Sequence, residues 1–533
     1  MSWILSALLI VPFLGSLVTM SVGGNQRTAR AIALAFSLTG TALASLLFLS
    51  FLTGDLSFLL GPRIAEPPPT AGPYAPFYYV ERYSWVPQLG MTYIVGADGL
   101  SVPLLWITPL LTTLSIVFSW HDSHRPRAFF GLLLFLTFAL SGVFMALDFF
   151  LFFVFWELVL IPMFFLIGIW GGPNRRYASL KFLIYTHVGS VVMLLSIFAF
   201  FWLYSEPVNA AVYGVSARTF DMTAFLTAAL RHMVPPFAGY LPLGAQIPVF
   251  ATFLFGFIVK LPSVPVHTWL PDAHVEAPTA GSVLLAGILL KMGGYGVFRV
   301  NLGMLPDASQ GLWWVMALLG IASMLYAAFV CLAQTDLKRL IAYSSVGHMG
   351  FVLLGASSLT SIGVQGGVFQ LFNHGLITAV LFMLAGSVKH STGTRDIPEL
   401  RGLGRAMPTF SLVLVVGFFA SLGLPGLNSF WSEFMVFAGA YSSPTLEPWR
   451  RLVFIPLLSI VVTAAYYLYT MQRVLFGRVP EKLGQPHDLP AFEKVPYAVL
   501  LALIVLVGLF PVPVLVMIVE FAQQALPWLF GGA

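Results

Sequence analysis

Apolar segments of about 20 residues recur along the whole chain, separated by shorter polar or basic stretches. Each segment is long enough to cross a hydrocarbon core of about 30 Å as an α-helix. The pattern therefore predicts an all-α, multi-pass membrane protein with about fourteen transmembrane helices. They lie at about 3–22, 31–54, 100–120, 128–147, 149–170, 177–204, two within 247–301, 310–333, 337–358, one around 369–384, 408–440, 452–474 and 495–525.

Two long segments interrupt this series and are predicted to lie outside the membrane. Residues 55–97 are rich in proline and aromatic residues, which suggests a structured loop on the membrane surface. Residues 205–246 form a second long loop, with an amphipathic piece at about 219–232.

Prolines break two of the predicted helices. Helix 7 contains LPSVP directly after Lys260, and helix 12 contains LPGLNS around Pro425. Proline removes a backbone donor, and a membrane tolerates the freed carbonyls only where they meet protein or water. Broken helices of this kind are typical of ion-conducting sites.

Helices 7 and 12 also align with each other at an offset of 161 residues, which matches Gly256-Phe257 with Gly417-Phe418. Five helices lie between equivalent points, an odd number, so the two copies would be upside down relative to each other. We therefore predict two inverted five-helix repeats. The predicted regions are 1–127 (helices 1–3 and the outer loop), 128–302 (first repeat), 303–475 (second repeat) and 476–533 (helix 14).

Composition excludes several classes of protein. The chain has 533 residues, of which 58% are hydrophobic and 9% charged, whereas soluble domains have about 25% charged residues. Its one cysteine, Cys331, excludes disulfides and clusters held by several thiolates within the chain. No histidine spacing resembles a metal site and no glycine-rich phosphate loop follows a strand, so neither metal nor nucleotide nor flavin binding is indicated.

The basic residues predict the orientation. Of the 26 lysines and arginines, sixteen fall in one set of alternate loops and seven, including Arg299, in the other set. Positively charged loops mark the inner side, which places both termini outside. The remaining three are Lys181, Lys260 and Lys291, inside predicted helices.

Ionisable residues inside the predicted helices are the candidate site. A charge near the bilayer centre costs roughly 3 kcal/mol or more, so such residues usually line a polar interior and serve a function. Burial disfavours the charged form of an acid or a base, and an opposite charge nearby restores it. Histidines relay protons between such groups. One or two ionisable groups per helix therefore predict a lateral proton path, made of Glu157, Lys181, Lys260, Lys291, His348, His374 and Glu433.

Structural roles are the alternatives. Lys181 lies one turn from a helix start and could extend its ammonium to the interface. Glu433 could cap the second half of broken helix 12, and the others could fix helix packing through hydrogen bonds or ion pairs. His187, His267 and His274 are weaker candidates, and the last two are expected near the inner surface with Asp272 and Glu276.

Several segments resemble a known family. FWELVLIP, RRYASLKFLIYT, VKLPSVPVHTWLPDAHVEAPTAGSVLLAGILLKMGGYG, LKRLIAYSSVGHMGF and LPGLNSFWSEF are similar to the antiporter-like membrane subunits of respiratory complex I, a family shared with Mrp-type cation/proton antiporters. The similarity covers about residues 90–475. Glu433 and the chain length make it most similar to the chain M type, called subunit 4 in mitochondria, because the sister subunits carry lysine at that position.

The resemblance implies roles for the residues. Glu157 and Lys260 are expected to pair in the cytoplasmic half-channel, with Lys291 as the central lysine. His348 and His374 are expected to continue the path to Glu433 near the outer exit. Lys181 matches a recurring lysine of helix 6.

The resemblance also implies a function and partners. The chain would be a proton-translocating subunit of a complex I-type quinone oxidoreductase, without a redox centre of its own, in a bacterial plasma membrane or an equivalent such as the thylakoid. Flavin, iron–sulfur clusters and quinone would belong to partner subunits. The partners would be other membrane-arm chains, including the sister chains L and N, and lipids, but not nucleic acid. The alternatives are a subunit of a Mrp-type cation/proton antiporter and a passive scaffold.

Overall fold

The structure, a computed structural model, describes residues 3–22, 25–54, 77–121, 124–203, 218–232, 241–445 and 453–530. It is a bundle of long apolar helices, which we number α1 to α14 in chain order. They are α1 (Ile4–Val22), α2 (Gln26–Thr53), α3 (Ser101–Phe118), α4 (Pro126–Met145), α5 (Phe149–Trp170), α6 (Arg175–Leu203), α7a (Leu243–Lys260), α7b (Trp269–Glu276), α8 (Thr279–Leu302), α9 (Trp313–Leu332), α10 (Leu337–Ser357), α11 (Ser361–Thr392), α12a (Pro408–Ser421), α12b (Asn428–Ser442), α13 (Phe454–Leu475), α14a (Ala491–Leu509) and α14b (Val512–Ala525).

The predicted number of transmembrane helices agrees with this architecture. Among the described residues, thirteen helices are long and apolar enough to cross a membrane. The fourteenth is α12, whose halves of 14 and 15 residues are each too short to count alone. One prediction was wrong in detail: residues 495–525 do not form one helix, because α14a ends at Leu509 and α14b begins at Val512. Pro511 and Pro513 explain the break.

Both proline breaks are present where the sequence placed them. The first halves of helices 7 and 12 end at Lys260 and Ser421, which are related by the 161-residue offset of the alignment. At the first break, Ser323 of α9 accepts a hydrogen bond from the Val264 amide at 3.0 Å and lies 3.0 Å from the Ser263 hydroxyl. A neighbouring helix thus pairs with the freed backbone, as a membrane requires. The inverted repeat and its domain limits stay predictions.

The centre of the bundle is formed by α8 and α11. The most apolar part of each of these two helices is entirely buried. Helix α8 contains two π-helical turns, Leu285–Leu289 and Val297–Leu302, on either side of Lys291. Such turns are often found at functional sites because they rotate side chains out of the regular helical register. The periphery includes α1, α6 and α13, which expose rows of large apolar side chains.

A β-hairpin lies in the segment that the sequence analysis predicted to be a loop. Strands β1 (Tyr78–Val86) and β2 (Met91–Ala97) pair antiparallel, while residues 55–76 of the predicted surface loop lie outside the described residues. The Thr92 amide donates to Asp148 at 3.0 Å, and the Leu147 amide donates to Ile94 at 2.9 Å. The hairpin is therefore attached to the connection between α4 and α5.

Asp148 has a second role at this junction. Its Oδ1 accepts hydrogen bonds from the Phe150 and Leu151 amides, so it caps the N-terminus of α5. Burial raises its pKa to about 6, because the charged carboxylate is removed from water. The cap fixes the start of the helix that carries Glu157.

The amphipathic segment of the second long loop is confirmed in part. A short helix, Met222–His232, lies within the predicted 219–232. Residues 204–217 and 233–240 of the same predicted loop lie outside the described residues.

The charge count needs one correction. Arg299 is not in an outer loop, because α8 extends to Leu302 and the Arg299 side chain is buried and paired with Asp98 at 2.7 Å. Lys338, counted in an inner loop, is likewise buried at the start of α10, where it donates to the Ala277 carbonyl at 2.6 Å. Without Arg299 and Lys338, fifteen basic residues remain in the loops of one side and six in those of the other. The distribution of basic residues therefore still predicts the same orientation.

Candidate functional site

The centre of the candidate site is a contact between α8 and α11. The Lys291 ammonium lies 2.6 Å from Nδ1 of His374 and also donates to the Ala286 carbonyl in the adjoining π-helical turn. Both side chains are buried. Among the described groups no carboxylate lies within 4.0 Å of Lys291. A buried ammonium next to an imidazole, without a fixed counter-ion, is suited to passing a proton rather than to holding an ion pair.

His348 continues this path from α10. Its ring centroid lies 5.4 Å from that of His374, and its Nδ1 lies 3.7 Å from Oε1 of Glu433. Its Nε2 lies 3.0 Å from the Ser421 hydroxyl, at the end of α12a. Four helices therefore contribute to one buried row of ionisable groups, running from Lys291 through the two histidines to Glu433.

The break in α12 places Glu433 in this row. Gly423 and Gly426 have φ of +77° and +92°, a conformation that other residues rarely adopt. A Cβ atom on Gly423 would lie 2.5 Å from Oε2 of Glu433, so the backbone of the break lies directly against the carboxylate. The Ser429 hydroxyl donates to Glu433 at 2.9 Å. The break thus opens room for a carboxylate and supplies a donor to it.

Polar side chains of α11 and α12b surround the row. The Gln370 amide nitrogen lies 3.3 Å from His348 Nδ1, and its oxygen accepts from the Ser432 hydroxyl at 2.5 Å. Asn373 donates to the Asn428 carbonyl at 2.9 Å and to Ser432 at 3.1 Å. This polar environment is not among the predictions from the sequence. Its signal, QLFNH in an apolar helix and SLGLPGLNS at the break, was present in the sequence.

Glu157 lies at the opposite end of the candidate set and contacts a residue that was only a weak candidate. Its Oε2 lies 2.8 Å from Nδ1 of His187 on α6, and its Oε1 is buried without a hydrogen-bond partner in the described parts of the chain. The His187 side chain is 57% exposed and that of Glu157 is 23% exposed. This pair therefore opens onto the side of the bundle.

The predicted ion pair between Glu157 and Lys260 is not formed in this conformation. Lys260 ends α7a, is buried, and has no hydrogen-bond partner among the described residues. Its ammonium lies 5.1 Å from the centre of the Trp156 ring. Glu157 follows Trp156 in α5, and its carboxylate is paired with His187 instead. The roles of the two residues in proton transfer stay predictions.

Lys181 lies in a different environment. It pairs with Asp272 at 2.7 Å, and the same carboxylate pairs with Arg339 at 3.1 Å. All three side chains are partly exposed, which agrees with a residue near the end of α6. The structure does not place Lys181 in contact with Lys260 or Glu157.

The two histidines expected near the inner surface, His267 and His274, are both buried within the protein. His267 and His274 have no hydrogen-bond partner at either ring nitrogen among the described residues. His274 stacks on Phe382 of α11 at 4.3 Å. A cavity of about 610 Å³ opens beside α7b, and its lining includes Glu276, Lys338 and Glu493.

The comparisons identify the family. The sequence model described as "NADH:quinone oxidoreductase/Mrp antiporter, TM" matches residues 146–463. The chain belongs to this family. The matched region contains all seven predicted site residues, from Glu157 to Glu433, and both broken helices.

Similar proteins come from several lineages. The F(420)H(2) dehydrogenase subunit M of Methanosarcina mazei is 44% identical over 452 residues, 84% of this chain and 87% of that protein. The NAD(P)H-quinone oxidoreductase chain 4 2 of Microcystis aeruginosa is 40% identical over 476 residues, 89% of this chain and 79% of that protein. The resemblance to the antiporter-like subunits of complex I is therefore confirmed.

Solved structures agree with the fold over nearly the whole chain. A chain of the respiratory complex I from Thermus thermophilus with bound NADH has a TM-score of 0.80 at 27% identity, covering 98% of this chain and 99% of that one. A chain of the Mrp complex from Dietzia has the same TM-score at 18% identity, covering 99% of each chain. The second match shows the shared fold alone.

Proposed function

We propose that this chain is the proton-translocating, chain M-type subunit of a membrane-bound quinone oxidoreductase related to complex I. The observation that carries the proposal is the buried row from Lys291 through His374 and His348 to Glu433. Ionisable groups are costly to bury in a membrane interior, and this row places four of them across one bundle with hydroxyl and amide partners. The two relatives described above are named as subunits of an F(420)H(2) dehydrogenase and of an NAD(P)H-quinone oxidoreductase.

The geometry supports a step in which Lys260 and Glu157 change partners. In the described conformation Glu157 is paired with His187, while Lys260 faces the Trp156 ring without an acceptor. If the carboxylate moves to Lys260, the ammonium is stabilised in its charged form. If it moves back, Lys260 loses its counter-ion and releases a proton more readily. This exchange would feed the row that begins at Lys291.

Partners are indicated by the side of the bundle where Glu157 and His187 meet. His187 is surrounded on α6 by exposed apolar residues such as Ile184, Val188 and Val191. An ionisable pair open to lipid is unfavourable, whereas a neighbouring membrane chain can cover it and supply polar contacts. We propose that another membrane-arm subunit, such as a sister chain of types L or N, packs against this face.

The redox cofactors belong to partner subunits in this proposal. The names of the two relatives imply different electron donors, F420H2 and NAD(P)H, for chains that are similarly related to this one. The membrane subunit therefore does not determine the donor, which would be set by the peripheral subunits. The corresponding location is an energy-transducing membrane with both chain termini on its outer side.

Purification through an affinity tag tests the assignment to an oxidoreductase. A mild detergent extract should yield a large assembly whose absorbance shows iron–sulfur clusters and, where the donor requires it, flavin. The measurement is native mass together with the absorbance spectrum. Recovery with small membrane subunits alone, without a chromophore but with cation-driven proton flux, would instead support the Mrp-type alternative that the shared fold allows.

Glu157→Gln tests the exchange of partners. The amide keeps the shape of the side chain but does not titrate, so we expect the ratio of protons pumped to electrons transferred to fall severalfold in proteoliposomes. His187→Gln is the matched variant, because it removes the observed partner but leaves the carboxylate free to reach Lys260. An unchanged ratio in intact Glu157→Gln assemblies would refute the role assigned to Glu157.

A further inference from the structure

A second group of buried polar residues lies on α8, and the path described above does not use it. Lys291, Tyr295 and Arg299 follow one another at intervals of four residues, so they lie on successive turns. Arg299 pairs with Asp98, which directly follows strand β2, at 2.7 Å. The stripe therefore runs from the central lysine to the membrane face that carries the β-hairpin.

The polar side chains in the middle of this stripe are hydrogen-bonded to one another and to the backbone. The Tyr295 hydroxyl accepts from Arg299 Nε at 3.2 Å and donates to the Phe144 carbonyl at 3.4 Å. Asp98 Oδ1 accepts from Arg299 and also from the Leu100 and Ser101 amides at 3.2 and 3.1 Å. Arg299 Nη1 is buried without a partner among the described residues.

Aromatic rings enclose the guanidinium. Its central carbon lies 5.0, 5.2 and 5.4 Å from the ring centres of Phe77, Tyr295 and Phe521. The side chains of Arg299 and Asp98 are 1% and 6% exposed. The ion pair is thus enclosed by α8, the start of the hairpin and α14b. The packed aromatic rings leave no room for water at the hairpin end of the stripe.

We propose that Arg299 blocks proton leakage along α8 from Lys291 to the hairpin face, which keeps protons on the path to Glu433. The inference rests on the proposed function. A proton relay needs groups that accept one proton and release another. Guanidinium has five donors, no acceptor, and stays protonated at any physiological pH, so it cannot take part in a relay. A fixed positive charge in a narrow path also repels protons, as arginines do in selective pores.

Removal of Arg299 would open this path. The space of the guanidinium would be lined by the Tyr295 hydroxyl and the Asp98 carboxylate, and a space of that size and polarity admits water. The hydroxyl would also lose the donor that occupies its oxygen. The Tyr295 hydroxyl and this water would then form a series of exchangeable groups on the turns of α8 between Lys291 and the hairpin face.

The test is passive proton flux through the purified assembly in proteoliposomes, with no electron donor present and an imposed pH difference. We expect Arg299→Gln to raise the flux severalfold. Tyr295→Phe alone should stay as tight as the wild type, because the arginine remains. The combination of Arg299→Gln with Tyr295→Phe should lower the flux again, because the hydroxyl relay is removed.

Asp98→Asn separates this role from a structural one. A simple clamp between hairpin and helix predicts that Asp98→Asn and Arg299→Gln have the same effect, whereas a proton block predicts leakage only when the arginine is lost. If Arg299→Gln alone fails to assemble, the neutral double variant with Asp98→Asn avoids an unpaired buried carboxylate and should still leak. Wild-type flux in an assembled variant without Arg299 would overturn the proposal. Because this assay needs no redox turnover, its result is independent of the pumping ratio in Glu157→Gln.

Discussion

We expect Lys291→Met to stop redox-driven proton pumping in the reconstituted assembly, while the chain still folds and associates. Methionine has a similar length and suits the apolar interior, so packing around α8 is kept. The proton acceptor next to His374 is lost, however, and the contact between α8 and α11 no longer carries an exchangeable group. General acid–base groups contribute about a hundredfold or more to rates, so we expect pumping to fall by at least about that factor.

Lys291→Arg is the matched control for charge. Arginine keeps a positive charge beside His374 and can donate to the Ala286 carbonyl, but it does not release its proton. If proton exchange is the role of Lys291, the arginine variant is as inactive in pumping as the methionine variant. If the residue serves only as a fixed charge, the arginine variant keeps most of the activity, and the assignment fails. The readout is the initial rate of acidification in proteoliposomes, normalised to quinone reduction.

Much of this site could be predicted from the sequence because a helix that spans a membrane must be long and almost entirely apolar. Apolar runs of the length needed to span a membrane predicted the helices. The few charged residues within these runs were therefore easy to recognise as candidate site residues. The breaks at Pro262, Pro265 and Pro425 followed from the missing backbone donors. These signals are local, and each can be recognised within a segment the length of one transmembrane helix.

The missed features depend on contacts between distant segments. Arg299 looked like a loop residue because it lies near the end of α8, and its burial depends on Asp98 and on Phe521, more than 200 residues away in sequence. The hairpin was missed because its strands of 9 and 7 residues follow a proline-rich stretch and resemble an aromatic loop. The Glu157–His187 contact was likewise outside the reach of pattern analysis, since it depends on how α5 packs against α6.

Packing also explains why the two ends of the predicted path differ. At the Glu433 end, the histidines, Gln370 and the serines are within hydrogen-bonding or near-contact distance, and all are buried. At the Glu157 end, one ionisable pair opens to the side of the bundle, and Lys260 has no hydrogen-bond partner among the residues that the structure describes. The first end is complete within this chain, whereas the second depends on a neighbouring subunit in our proposal. The effect of a substitution at Glu433 on proton pumping should therefore depend less on partner subunits than the effect of a substitution at Glu157.

Glu433→Gln is the direct test of the completed end. Glutamine can still accept the Ser429 hydrogen bond and fits the space against Gly423, so the break in α12 is preserved. It cannot take up a proton from His348, which lies 3.7 Å away. We expect redox-driven pumping to fall by about a hundredfold, similar to the loss at Lys291, because the row has no terminal acceptor.

Two further substitutions locate the cause of that loss. Phe434→Leu changes the exposed neighbour of Glu433 and should pump at the wild-type rate. Gly423→Ala leaves the carboxylate in the sequence but forces a Cβ atom toward its Oε2 and requires φ of +77° from an alanine. It should therefore impair pumping through geometry, with a loss smaller than that of Glu433→Gln. Full pumping in an assembled Glu433→Gln variant would show that the buried row ends elsewhere, and Glu433 would then be a helix cap rather than a proton carrier.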